Sequence, residues 1–139
     1  FLDVRIVSGR FSPLLEQAIL ADFIAGGHFM RHLRRMRRLY AARQAALVAA
    51  VRRWGDGVLS VRAQPAGMHL IGWLPDGSDD RSAARRAEAA GVETLPLSAC
   101  TLERATPPGL LLGYAAFTSA EIEAGVRTLC DALEGSDRR

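Results

Sequence analysis

The hydrophobic period of this chain changes sharply at Gly55-Asp56-Gly57, from three or four residues up to Trp54 to two residues directly after. A helical period gathers side chains on one stripe, whereas a period of two sends them to alternate faces of a strand, so neither pattern can serve the other element. The chain must therefore layer helices against strands. Before the change, Phe29, Leu33, Met36, Tyr40, Leu47 and Val51 recur at helical intervals and predict one long amphipathic helix from His28 to about Trp54. Its other face carries Arg31, Arg34, Arg35 and Arg38 at i, i+3, i+4 and i+7. Like charges at these spacings repel, so the stripe is expected to meet carboxylates, phosphate or water. After the change, Val58, Ser60 and Arg62 alternate with Leu59, Val61 and Ala63, and Gln64-Pro65-Ala66-Gly67 turns the chain into Met68–Leu74. These two runs predict an antiparallel hairpin.

The remaining elements follow from punctuation. Ser12-Pro13 reads as N-cap and first helical residue of a helix closed by Gly26-Gly27, with Leu14, Leu15, Ala18, Ile19, Phe23 and Ile24 spread over an unusually broad apolar face. Asp76-Gly77-Ser78-Asp79 supplies a loop and N-cap for an alanine-rich helix to about Ala90, and Gly91 ends it. Val92–Leu97 predicts a short strand. Gly109–Ala116 is a nearly continuous apolar run that suits a central strand buried on both faces. Thr118-Ser119-Ala120-Glu121 is a capping box, after which Ile122, Val126, Leu129, Cys130 and Leu133 mark the inner face of a last helix. The fold class is α/β, a sheet of about four strands covered by helices.

A length of 139 residues fits one domain. All eighteen basic residues are arginine, so no side-chain amine is present, and the net charge is only +3. Arginine crowds residues 31–62 while acids gather at Asp76–Asp80 and in the last helix, which invites a neighbour of opposite sign. Cys100 and Cys130 lack C-x-x-C spacing and read as two buried thiols in a reducing compartment. No apolar run approaches a membrane span and no signal-peptide pattern is present, so a cytoplasmic location with no membrane partner is expected.

The catalytic inventory is thin. His28 and His32 stand one helical turn apart without the glutamate of H-E-x-x-H, so no metal site is expected, and His69 alternates within an apolar strand. Neither a G-x-S-x-G elbow nor a glycine-rich phosphate loop occurs. The chain is predicted to hold no catalytic residue.

The order of several segments resembles a known family. Leu15-Glu16-Gln17-Ala18, Ala21-Asp22-Phe23-Ile24 and Gly27-His28-Phe29 precede Arg31-His32-Leu33-Arg34-Arg35-Met36-Arg37, Tyr40 and Arg43. Gly67-Met68-His69-Leu70, Trp73-Leu74-Pro75-Asp76-Gly77, Pro96-Leu97-Ser98, Gly109–Tyr114 and Glu121–Val126 follow. Together they are similar to the C-terminal part of MocR-type regulators of the GntR superfamily. The resemblance implies the small domain of a fold-type I aminotransferase-like, pyridoxal-phosphate-dependent transferase fold. It divides the chain into residues 1–27, a segment and helix that would pack on a large domain; 28–134, the small domain; and 135–139, a polar tail.

What the resemblance implies about function is equally definite. The chain is expected to be the effector-sensing or dimerisation part of a pyridoxal-phosphate-responsive regulator, non-catalytic by itself, and to bind no cofactor alone. The cofactor, a lysine that anchors it and the large domain would lie upstream in a longer parent. The expected partners are that large domain, a second copy in a homodimer, and DNA through an upstream winged helix-turn-helix. Aminotransferases of this fold commonly carry arginine where Leu111 stands, to grip a substrate carboxylate. Arg104 is the candidate substitute, with Ser98 and His69 as further effector candidates, and Arg31, Arg34, Arg35 and Arg38 as interface candidates. Two alternatives stand beside this reading: the small domain of a genuine aminotransferase, and a stand-alone arginine-rich nucleic-acid binder.

Overall fold

The computed structural model describes residues 13–101 and 107–135. Four helices are present, α1 (Leu14–Ala25), α2 (His28–Trp54), α3 (Asp80–Ala89) and α4 (Ser119–Glu134), with strands β1 (Ser60–Val61), β2 (His69–Trp73), β3 (Leu95–Pro96) and β4 (Gly109–Gly113) and a 3-10 turn at Leu97–Cys100. The chain divides into two units, residues 1–38 and 39–139.

In the described part of the first unit, α1 is apolar on every side and buries none of its residues. Leu14 and Leu15 are 81% and 71% exposed, and Ile19, Leu20, Phe23 and Ile24 are also open. Ser12, expected as N-cap, lies outside the described residues. The helix starts one residue later than expected, at Leu14, because Pro13 keeps an extended ψ of 111° and supplies no capping side chain. Gly26 and Gly27 end the helix, and the His28 ring stacks on Phe23 with centroids 5.7 Å apart.

The second unit is a four-stranded antiparallel sheet in the order β1-β2-β4-β3. The expected hairpin forms with Ser60 opposite Trp73 and Val61 opposite Gly72. Strand β4 lies inside the sheet, paired residue for residue with β2 from His69–Gly113 to Trp73–Gly109. Alternation then sorts the side chains. Leu70, Gly72, Leu110 and Leu112 face the core with Leu47 and Val51 of α2, Ala83, Ala84 and Ala87 of α3, and the inner stripe of α4. That stripe is Ile122, Val126, Leu129, Cys130 and Leu133, as its spacing predicts.

Two strand expectations need correction. Strand β4 is not buried on both faces: it ends at Gly113, and Leu111 on the face away from the helices is only half-buried. The expected strand Val92–Leu97 shrinks to Leu95–Pro96: the Val92 N–H is still held by the Ala87 carbonyl at the end of α3, and the chain coils into the 3-10 turn directly after Pro96. The cysteines also differ from expectation, since Cys130 is buried and Cys100 is exposed.

Helix ends are closed locally. Asp79 Oδ1 accepts from the backbone N–H of Arg81 and Ser82 at 3.0 and 3.2 Å. Thr118 and Glu121 form the reciprocal capping box. At Gly55, where α2 stops, an added Cβ would lie 2.6 Å from the Leu59 carbonyl oxygen and 2.7 Å from that of Val51. Both are backbone atoms that cannot move aside.

Two measurements check this packing. Gly55→Ala should lower unfolding free energy by about 1–3 kcal/mol in a urea titration, whereas Gly125→Ala, mid-helix with nothing within 4 Å of the new methyl, should raise it by about 0.5–1 kcal/mol. Equal effects would contradict the assigned contacts. Burial, with Glu134 and Asp131 nearby, pushes the Cys130 thiol up to about 11. A thiol reagent at mildly alkaline pH should therefore modify Cys100 in the native chain and Cys130 only on unfolding; rapid reaction of both would contradict the core.

Candidate functional site

The helices cover one face of the sheet, and the opposite face carries two of the residues that sequence reasoning singled out, His69 and Leu111. Along β2 this outer face carries His69, Ile71 and Trp73, and along β4 it carries Gly109, Leu111 and Gly113. Leu111 sits in the middle, opposite Ile71 on one side and Leu95 on the other. The centre of this face is thus an aliphatic row, with no charged group in it. His69 is exposed at one end of the row, against Gly113, whose added Cβ would stand 3.3 Å from the imidazole ring.

Ser98 lies at the other end, beside Gly109. His69 and Ser98 are therefore separated by the length of β4, four residue steps or about 13 Å, and the sheet does not bring them together. Arg104 lies outside the described residues. The four arginines of the α2 stripe, Arg31, Arg34, Arg35 and Arg38, are all exposed. Among the described residues the one ion pair is Arg53 with Glu123 at 3.6 Å, so the stripe has no carboxylate partner there. Arg38 Nε instead donates to the Arg34 carbonyl at 3.4 Å.

Ser98 belongs to a polar knot that the sequence did not reveal. Asp80, only 6% exposed, accepts from the Ser98 N–H at 2.9 Å and from the Ser98 hydroxyl at 2.7 Å. Arg81 Nε donates to the same hydroxyl at 3.2 Å. Burial pushes the Asp80 carboxyl up, but the bonds from Ser98 and from the Gly109 N–H, with the Arg81 charge, outweigh it and hold the group below its ordinary value. This knot fixes the start of α3, the 3-10 turn and the beginning of β4 to one another. The Ser98 hydroxyl is thereby committed on both its donor and its acceptor side.

A second network closes the far end of β4. The Tyr114 hydroxyl, on a side chain 1% exposed, donates to the Gly67 carbonyl at 2.8 Å and accepts from Gln44 Nε2 at 2.9 Å. Gln44 Oε1 accepts from the Gln64 N–H at 3.1 Å, and Arg43 Nη1 donates to the Ala115 carbonyl. The turn between β1 and β2 is thus tied to α2. Gln44 and Tyr114 stand 70 residues apart in sequence, so nothing in the local pattern could have paired them.

Among the described residues no three histidine, cysteine or acidic side chains come together as a metal site, and no helix is long and apolar enough to cross a membrane. A chain without lysine also cannot supply an amine anchor for an aldehyde cofactor. Its residues do not fit the role of holding pyridoxal phosphate covalently.

No family model matches the chain. It is 40% identical over 131 residues, 93% of its length, to the probable rhizopine catabolism regulatory protein MocR of Rhizobium meliloti. It is 29% identical over 114 residues to the uncharacterized HTH-type transcriptional regulator YhdI of Bacillus subtilis. The chain spans 27% and 24% of the length of these relatives. Among solved structures it is similar to LysN, an alpha-aminoadipate aminotransferase of Thermus thermophilus, with a TM-score of 0.84 and 26% identity over 96% of this chain and 34% of that one. The multiple substrate aminotransferase of Thermococcus profundus gives 0.79 and 25%, over 88% of this chain and 30% of that one. The fold is that of the fold-type I aminotransferases.

The Asp80 knot makes a prediction with a definite sign. A carboxyl whose folded pKa is depressed stabilises the fold above its unfolded value, near 4, and loses that contribution as pH falls through the lower folded value. Asp80→Asn should cost about 1–3 kcal/mol at neutral pH and should flatten the decline of stability below about pH 4. Denaturant midpoints across the acid range check both; an unchanged acid limb would show that Asp80 does not carry it.

Proposed function

We propose that this chain, a MocR-type region with the aminotransferase fold, serves a longer transcriptional regulator as its effector-sensing, non-catalytic small domain. The observation that carries the proposal is the regulator match along nearly the whole chain, at 40% identity over 93% of it. In the parent, pyridoxal phosphate and the amine that anchors it belong to a large domain outside this chain, and DNA is held by a winged helix-turn-helix. Helix α1, apolar on every side, packs on that large domain, and the arginine stripe of Arg31, Arg34, Arg35 and Arg38 meets acidic or phosphate groups of a neighbour. The parent works as a homodimer in the cytoplasm.

The outer face of the sheet supports the regulator over the enzyme. An aminotransferase holds its substrate carboxylate with a guanidinium fork, and the row Ile71–Leu111–Leu95 offers only aliphatic surface at that strand. What this face can do is exclude water and present apolar contact, with His69 as a hydrogen-bonding group at its edge. Arg104 and Ser98 are the other candidate effector contacts, Ser98 through the position it gives Arg81. When ligand binds, the small domain closes toward the large one, and this movement is what the DNA-binding part reads.

The full-length parent tests the reading. Its affinity for its own promoter DNA should change when pyridoxal phosphate is added, and deletion of residues 39–139 should abolish that change while leaving DNA binding itself. Turnover of amino acids by the parent, with DNA affinity indifferent to cofactor, would favour the enzyme instead. Leu111→Arg in the parent should leave promoter binding in place and alter the effector response; an unaltered response would remove this face from the sensing site.

A further inference from the structure

The helix-covered side of the second unit contains a cavity of about 450 Å³ at the sheet's β3 edge, a size within the range of small-molecule sites. It meets the outer face that carries Leu111 only at Gly113. Its wall is apolar, formed by Leu47, Leu112, Ile122, Val126 and Leu129. It opens because residues 91–94 run in from the end of α3, where the Val92 N–H still bonds the Ala87 carbonyl, and join the ladder only at Leu95.

One polar feature borders this wedge, the backbone of Gly113; the Thr94 hydroxyl oxygen, although Thr94 lines the cavity, is itself buried away from open space. Along β4 the bonds alternate sides: Tyr114 N–H and Pro108 C=O bond Met68 and Leu74 on the β2 side, while Gly109 N–H turns the other way to Asp80. By that alternation Gly113 aims its N–H and C=O toward the β3 side. Strand β3 pairs only Leu95 and Pro96 there, so no strand residue stands opposite it. At the rim are the carboxylates of Glu93 and Glu121, the latter engaged with Thr118 in the capping box.

We infer that this cavity binds a small, mostly apolar molecule with one uncharged hydrogen-bonding group, the apolar body against α4 and the polar group on the backbone of Gly113. The acidic rim selects against anions. The ligand is held by residues of this chain alone and requires no cofactor.

Indole, a flat apolar body with one N–H, is the probe. Titrated into the 15N-labelled 139-residue chain, it should give saturable amide shifts at residues 91–94, Gly113 and Gly125. Indole-3-acetate should bind more weakly than indole. Gly125→Leu adds a side chain where no atom lies within 4 Å of the new Cβ; it fills the wedge and should weaken indole binding by about tenfold or more. Indole should bind about fivefold more tightly than indene, which lacks the N–H. The inference is overturned if indole gives no saturable shifts, if they map to α1 instead, or if Gly125→Leu binds indole as the parent chain does. Were Gly125→Leu not to fold, the map on the unaltered chain would decide the outcome.

Discussion

Strands β2 and β4 are paired over all five of their residues, and this register decides which face each of their side chains occupies. A slip of one residue would send Leu70, Leu110 and Leu112 to the outer face and Ile71 and Leu111 into the helices. Steric fit opposes such a slip. Gly72 sits where an added Cβ would lie 2.8 Å from a methyl carbon of both Leu59 and Leu112, so a side chain on the inner face at that position would have to push these leucines aside. The ends of the ladder are held by different chemistry, the Asp80–Ser98 knot at Gly109 and the Tyr114–Gln44 network beyond Gly113.

That division of labour explains the character of the outer face. Its polar neighbours are committed to the architecture: Ser98 is engaged by Asp80 and Arg81, and the Tyr114 hydroxyl by Gln44 and Gly67. Left for recognition are His69, Trp73 and the aliphatic row through Leu111. A surface of this kind works by shape, dehydration and one or two hydrogen bonds, which suits sensing more than the charge-driven gripping of a transferred group.

Local patterns made much of this legible. The change of period at Gly55-Asp56-Gly57 separated α2 from the hairpin, Asp79 and Thr118 announced the helices they cap, and the stripe from Ile122 to Leu133 named the buried face of α4. Interactions between distant residues were not legible. Asp80 reads in sequence as an ordinary first-turn acid, and only its meeting with Ser98, 18 residues on, makes it a buried anchor. An unbroken apolar run likewise cannot tell a strand covered on both faces from one covered on a single face, which is why β4 was read as more buried than it is. The cavity beside Thr94 arises from where β3 begins, a consequence of the path out of α3 that no periodicity encodes.

On the proposed reading, the outer sheet face of this chain responds to ligand in a larger regulator, and helix α1 is covered by a neighbouring domain of that parent. Hydrogen–deuterium exchange on the full-length parent, with and without pyridoxal phosphate, tests it most directly. The account predicts that peptides covering residues 14–25 and 95–100 gain protection when ligand is present, while those from the buried stripe of α4 keep the same exchange. Identical exchange of residues 14–25 and 95–100 in both states would contradict it.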